Sequence, residues 1–275
     1  MFSSPGKRLA ALLALLSLAL TGCPPPLLSP NVERTEGLVY GYGYVKDDSA
    51  DLGYSLEPLR FDLLEPTDVT PSNRPAVLMI HGGSFITGTR KDEELVRAAN
   101  GLATEGYVCF LIDYRLDGDE PPVVSSWNPD VDDAKDIDIP SLPAVRAAFV
   151  DAKTAMRHIR ANSNTYGIDP TRIAVWGESA GAFAALAAGL TEPGEFSSDG
   201  EGFPVPPENN PGVNSKPAVI VDCWGSSIFT NDAYDSNDPP IMVFHGLSDN
   251  VVPFIFAADI RAKCENFGIP YRYYL

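Results

Sequence analysis

Ile173-Ala-Val-Trp-Gly177-Glu-Ser179-Ala-Gly181 is a short apolar run closed by a G-x-S-x-G turn, and an alanine-rich segment, Ala180 to Leu190, follows at once. Strand, tight turn and helix in that order place the serine on a sharp bend. Its hydroxyl stands at a helix N-terminus, where the dipole and free amides favour developing negative charge. A side chain at position 177 or 181 would collide with the neighbouring strand and helix, so both positions require glycine. The flanks separate this reading from a chance G-x-S-x-G in a surface turn, and Ser179 is the candidate nucleophile.

Outward from this unit the chain alternates strand-like and helix-like segments, which predicts a largely parallel sheet with helices on both faces. Eight strands are expected: Val39 to Val45, Leu59 to Leu64, Ala76 to His81, Tyr107 to Asp113, Arg172 to Trp176, Ala218 to Cys223, Ile241 to His245 and Tyr271 to Leu275. The first two read as an antiparallel edge. Helices are expected over Asp92 to Glu105, Ala144 to Ala161, Ala180 to Leu190 and Val252 to Phe267. Two irregular stretches, Leu116 to Pro143 and Thr191 to Lys216, are expected to border the active-site edge.

Two further segments carry chemistry. Val77 to Ile80 runs into His81-Gly-Gly-Ser-Phe85, a strand ending in a glycine-rich loop. It resembles the H-G-G oxyanion loop of lipases and esterases, which implies backbone donors at Gly82, Gly83 and Ser84, with Ala180 supplying another. A third glycine is common where this chain has Ser84. The same resemblance makes His81 a structural residue of the loop rather than a base. Downstream, Ile241 to Pro253 reads I-M-V-F-H-G-L-S-D-N-V-V-P and resembles the stretch that bears the catalytic aspartate, which assigns the triad acid to Asp249. Asp249 could equally cap a helix beginning near Val252, and Asp222, at the end of the preceding strand, is the alternative acid.

The base is missing from this order. Ser, Asp, His is the expected sequence, yet the histidines are His81, His158 and His245, and none follows Asp249. The simplest expectation is a C-terminal truncation that removes the His loop and the last helix, with the histidine some tens of residues or fewer beyond Leu275. Recruitment of His245 and a non-catalytic binding protein are the alternatives. His158 reads as an ordinary helix residue.

Taken together, H-G-G-S-F at His81 to Phe85, D-Y-R at Asp113 to Arg115, Y-G-I-D-P-T-R-I-A-V-W-G-E-S-A-G at Tyr166 to Gly181 and the Asp249 stretch resemble the carboxylesterase and lipase branch of the α/β hydrolases. Hormone-sensitive-lipase-like and acetyl or feruloyl esterase-like enzymes lie in that branch. The resemblance implies an α/β-hydrolase fold with a mostly parallel eight-stranded sheet over residues 38–275. It also implies hydrolysis of short-acyl or carbohydrate-linked esters through an acyl-enzyme on Ser179, without a cofactor. Glu178 is expected to pack beside the site and Arg115 to pair near a strand end. Peptidase relatives usually carry a further large domain, for which this length leaves no room. The acidic stretch Asp130 to Asp138 lacks the glycine and terminal glutamate of a calcium loop, so a solvated loop is expected and no metal site.

The amino terminus is a separate unit. Lys7 and Arg8 precede Leu9 to Leu20, apolar except for Ser17, which is the pattern of an export signal and too short for a membrane-spanning helix. Leu20-Thr-Gly-Cys23 resembles a bacterial lipobox. Residues 1–22 are then a signal peptide, Cys23 the lipidated first residue, 23–37 a proline-rich tether, and the protein an envelope lipoprotein, periplasmic or surface-facing. An ordinary secretory cleavage site is the alternative. The formal charge is −17, and removal of 1–22 takes away Lys7 and Arg8 and no acids, giving −19. Such a surface repels nucleic acid and anionic headgroups. Of the remaining cysteines, Cys109 reads as buried, and Cys223 with Cys264 is the pair expected to form a disulfide if one forms.

Overall fold

A computed structural model describes residues 28–127, 129 and 141–275 of the chain. The expected signal peptide, Cys23 and the Asp130 to Asp138 stretch lie outside the described residues. All eight expected strands are present: β1 (Val32–Lys46), β2 (Tyr54–Pro66), β3 (Arg74–Ile80), β4 (Val108–Ile112), β5 (Ile168–Glu178), β6 (Val219–Cys223), β7 (Ile241–Phe244) and β8 (Tyr271–Tyr274). They form one sheet in the order β1-β2-β4-β3-β5-β6-β7-β8. β1 and β2 pair antiparallel with each other and β2 with β4, and every pairing from β4 through β8 is parallel.

Burial explains the strand types. β4 reads Val-Cys-Phe-Leu-Ile and is buried throughout, and β3 is buried at every position but Pro75, as central strands covered on both faces must be. The helices are α1 (Glu93–Thr104), α2 (Leu142–Ala161), α3 (Ala180–Leu190) and α4 (Ile255–Phe267). α1 packs Leu95, Ala99 and Leu102 against Val77, Met79, Leu111 and Trp176 on one face. On the other, α2, α3 and α4 share a core with Leu78, Ile80, Val175, Ile220 and Val243. α3 is buried at every residue, so alanine and glycine dominate it because larger side chains have nowhere to go. Ser141 caps α2, its Oγ accepting from Ala144 N at 3.4 Å, and Gly268 ends α4 at φ +73.

Three expectations need correction. The hydrolase domain does not begin at residue 38: β1 starts at Val32 and pairs Val32 to Thr35 with Leu63 to Pro66. Its polar residues belong to an edge strand whose outer side faces water, and Arg34 reaches the buried Asp62 at 2.6 Å. Cys223 and Cys264 are both free. Cys223 belongs to the core on the α1 face and Cys264 to the core on the opposite face, so the sheet stands between the two thiols. Finally, α3 begins at the catalytic edge and runs away from it, so Thr191 starts at the opposite edge. The segment from Thr191 climbs to Asp199 and returns to Ala218, whose amide bonds Ile173 O at the start of the parallel strands.

Basic side chains of α2 hold this excursion. Lys153, fully buried, donates to Thr191 Oγ1 at 2.8 Å and Glu192 O at 2.5 Å, and Arg157 donates to Asn209 O at 3.0 Å. At the top, Arg115 joins Asp151 Oδ1 and Asp199 Oδ1, each at 2.7 Å, and donates to Tyr44 O at 3.0 Å. A Cβ on Gly43 would come within 2.5 Å of Arg115 Nε, which is why β1 carries glycine where the guanidinium passes.

Candidate active site

Ser179 sits between β5 and α3 with φ +52 and ψ −120, a left-handed backbone that a non-glycine residue adopts only when its surroundings enforce it. Those surroundings are visible. A Cβ at Gly177 would lie 2.0 Å from Gly181 O, and one at Gly181 would lie 2.2 Å from Ile80 O, so strand, turn and helix touch through bare backbone. Ser179 N donates to Cys223 O at 2.9 Å and its carbonyl accepts from Ala182 N at 2.8 Å. The side chain makes no capping bond to α3, which leaves Oγ free.

The loop after β3 abuts this bend: a Cβ on Gly82 would stand 3.3 Å from Ser179 Cβ. Gly83, Ser84 and Phe85 follow at φ +112, +55 and +59. Gly83 O accepts from both Ile86 N and Thr87 N at 3.0 Å, closing the turn. No described backbone carbonyl takes the amide hydrogens of Gly82, Gly83, Ser84 or Ala180. His81 lies beneath with 1% exposure, its Nδ1 2.7 Å from Gly82 O and its ring stacked on Tyr114 at 4.4 Å. Burial holds its pKa below the usual imidazole value. Tyr114 OH donates to His81 O at 3.2 Å, and Asp113 accepts from Arg90, so each residue of D-Y-R braces the loop or the core beside it.

Asp249 follows β7, at the same edge of the sheet as Ser179 and two strands away, about 9–10 Å at ordinary strand spacing. Its Oδ1 accepts from Val251 N at 2.8 Å and Val252 N at 2.9 Å, which caps a turn; the helix begins later, at Ile255, with Phe254 as its N-cap. His245 is buried, its Nε2 2.8 Å from Val252 O and 3.9 Å from Asp249 Oδ2. His158 bonds Tyr166 OH at 2.8 Å on α2, and burial pushes its pKa down to about 4. No described histidine bonds Ser179.

Two acids beside the bend behave unlike surface carboxylates. Glu178 is half-buried and accepts from Trp176 Nε1 at 3.3 Å; burial, with the nearby charges of Glu94 and Asp92, raises its pKa to about 7. Asp222 is fully buried at the end of β6, with Oδ1 accepting from Gly225 N at 3.1 Å and Oδ2 unpartnered. Burial raises its pKa to about 7. An unfolded aspartate ionises near pH 4. The folded state therefore holds the extra proton between about pH 4 and 7, and stability falls as pH rises through that window. Asp222→Asn is expected to stabilise the protein at pH 8 by about 2–4 kcal/mol, with little effect below pH 4.5, in urea unfolding across that range. Its signal in the sequence is an acid set flush within the apolar run Val219 to Cys223.

Comparison with known proteins gives the fold and the family. Over 126 residues the chain is 32% identical to para-nitrobenzyl esterase of Bacillus subtilis, covering 45% of this chain and 23% of that one. It is 28% identical over 130 residues to Esterase LipC of Mycobacterium tuberculosis, covering 47% and 26%. The matched stretch is thus about a quarter of these relatives' length. Among solved structures, a thermophilic esterase of Thermogutta terrifontis with propionate bound superposes with TM-score 0.64 at 20% identity, over 90% of this chain and 84% of that one. A truncated carbohydrate esterase from gut microbiota gives 0.63 at 18%, over 91% and 90%. These likenesses establish the α/β-hydrolase fold. The BD-FAE family model matches residues 61–134 and 142–234, more than half of the chain and inclusive of the His81 loop and the Ser179 bend, and the chain belongs to that family.

Proposed function

We propose that the protein hydrolyses carboxylic esters through an acyl-enzyme on Ser179. The observation that carries this reading is an unbonded hydroxyl on an enforced left-handed bend, beside the unclaimed amides of Gly82, Gly83, Ser84 and Ala180. Ser179 Oγ attacks the ester carbonyl, the amides hold the resulting oxyanion, and the alcohol leaves with a proton. Water then adds to the acyl-enzyme, and the acid departs as Oγ is re-protonated. Asp249 is the acid that would orient the base taking the Ser179 proton. Among the described residues no histidine fills that place: His81 and His245 are buried and His158 half-buried, each bonded to another group. Short acyl groups are the inferred substrates, supported by the propionate- and butyrate-bound states of the Thermogutta terrifontis esterase, with carbohydrate-linked esters in line with the gut carbohydrate esterase.

A fluorophosphonate probe on the complete gene product tests the reading. Labelling at Ser179, together with turnover of a short-acyl ester, supports it. A folded protein that neither labels nor turns over any such ester overturns it in favour of a binding protein with an incomplete triad, the reading favoured by the lack of a histidine on Ser179.

Export and lipid anchoring at Cys23 belong to the same proposal, supported by Lys7, Arg8, the apolar run Leu9 to Leu20 and Leu20-Thr-Gly-Cys23. No described helix is long and apolar enough to cross a membrane. Cys23→Ser is expected to abolish metabolic labelling by palmitate and to move the protein from the membrane fraction to the soluble one.

A further inference from the structure

A connected set of aromatic rings lies against the catalytic bend on the side that faces α2. Phe183 stands four residues after Ser179, and its amide donates to Ser179 O at 3.3 Å. A helical side chain leans back toward the helix N-terminus, so the Phe183 ring covers the turn that begins at Ser179. Phe85, at the end of the His81-Gly-Gly-Ser-Phe loop, meets that ring edge-on at 6.2 Å between centroids. Phe229, which follows β6, meets it at 5.8 Å. Rings at these separations touch. Phe85 and Phe183 are each 4% exposed and Phe229 7%, all three in the core shared with α2. Behind Phe229 stand Phe149 at 6.1 Å and Trp127 at 6.3 Å, and Phe196 packs on those two at 5.4 and 5.9 Å. The front rings are thereby backed by α2 and by both irregular stretches, which fixes them.

The direction of an acyl chain follows from the other three substituents of the carbon that Oγ attacks. The oxyanion turns to the amides of the loop after β3 and of Ala180, and the departing alcohol turns to the Asp249 side, where its proton is supplied. The acyl chain is left with the two flanks of the bend, and these differ in chemistry. On the α1 flank stands the Glu178 carboxyl, accepting from Trp176 Nε1, with the charges of Asp92 and Glu94 nearby. On the α2 flank stand hydrocarbon rings. An apolar chain gains by leaving water for hydrocarbon and gains nothing beside carboxyl groups that need water, so it takes the α2 flank.

We propose that Phe183, with Phe85 and Phe229 beside it, is the stop that sets acyl length: chains of a few carbons fit between Ser179 and the rings, and longer ones collide with them. The selection of substrate by this stop rests on the ester-hydrolase reading; the place of the rings against the bend does not.

The test is kcat/KM of the complete gene product on p-nitrophenyl acetate, butyrate, hexanoate and octanoate. Wild type is expected to turn over octanoate at least about tenfold less well than butyrate, since even one methylene misfitted in an apolar pocket is worth about tenfold. Phe183→Ala is expected to raise the octanoate-to-butyrate ratio by at least about tenfold. Phe183→Leu, which keeps the core apolar while removing the ring, is expected to move the ratio in the same direction and carries the test where the alanine variant does not fold. Phe196→Leu removes a ring of the same set that does not touch Phe183, and is expected to leave the ratio at the wild-type value. Wild type that favours octanoate overturns the proposal. So do folded Phe183 variants with the wild-type ratio, or a Phe196→Leu shift as large as theirs, which would mark general loosening of the core. Turnover with an unmoved ratio sinks the stop and leaves the catalytic reading standing, whereas no turnover of any ester by any folded variant sinks the catalytic reading and the selection with it.

Discussion

On the acyl-enzyme proposal, Ser179→Ala is expected to lower kcat for a short-acyl ester by about 10⁶-fold, read in stopped assays with burst kinetics, while the melting temperature stays within a degree or two of the parent. The two halves of this expectation come from different parts of the bend. Alanine has the same backbone preferences as serine, and no capping bond is lost because Oγ makes none to α3. The packing that enforces the left-handed conformation belongs to Gly177, Gly181 and Ile80 O, which are untouched. The proposed chemistry, in contrast, would lose its covalent route. What survives is the attack of water on a carbonyl polarised by the amides of Gly82, Gly83 and Ala180, and such a remnant is typically about 10³–10⁴-fold above the uncatalysed rate. A variant that kept a tenth of the parent rate would show that another group carries the acyl transfer.

Arg115→Met is the substitution expected to cost most in stability, about 3–5 kcal/mol in urea unfolding near pH 7. The guanidinium lies 2.7 Å from both Asp151 Oδ1 and Asp199 Oδ1 and donates to Tyr44 O, so its removal strands two buried carboxylates and a carbonyl at once. Lysine cannot substitute well, because one ammonium does not reproduce a planar fork that reaches α2, β1 and the Thr191 excursion together. Arg115→Lys should therefore recover less than half of the loss. Asp199 fastens the top of that excursion, and limited proteolysis between Thr191 and Lys216 should accelerate in Arg115→Met before global unfolding does. A loss under 1 kcal/mol would show that the network adds geometry without stability.

The sequence carried most of the fold because the parallel strands are apolar runs bounded by glycine, proline and acidic turns. β3, β4, β6 and β7 end within two residues of where periodicity puts them. β1 was harder to read. Glu33, Arg34, Thr35 and Glu36 look like a solvated tether, and only the partner strand, which supplies Asp62 for Arg34 and the ladder from Leu63 to Pro66, makes them a strand. At the site, the glycines of the bend and of the His81 loop were legible from their motifs, and Gly177, Gly181 and Gly83 each meet a backbone atom closer than any side chain permits. The places of Asp222 and Glu178 beside the bend were legible as well, but their raised pKa values and the burial of Lys153 were not, since these come from distant elements rather than from neighbours in the chain. The direction of α3 sets where Thr191 lies, and that follows only once Ser179 is placed at the top of the sheet.

The separation of Cys223 and Cys264 by the sheet has a consequence for handling the protein. Cys109 shares a face with Cys223 but stands three strands away, about 14 Å, beyond the reach of a bridge. All three thiols among the described residues are nearly inaccessible, and burial raises their pKa values, leaving almost no thiolate to react. The catalytic domain should therefore fold identically with or without dithiothreitol, and its production calls for neither an oxidising compartment nor a disulfide isomerase.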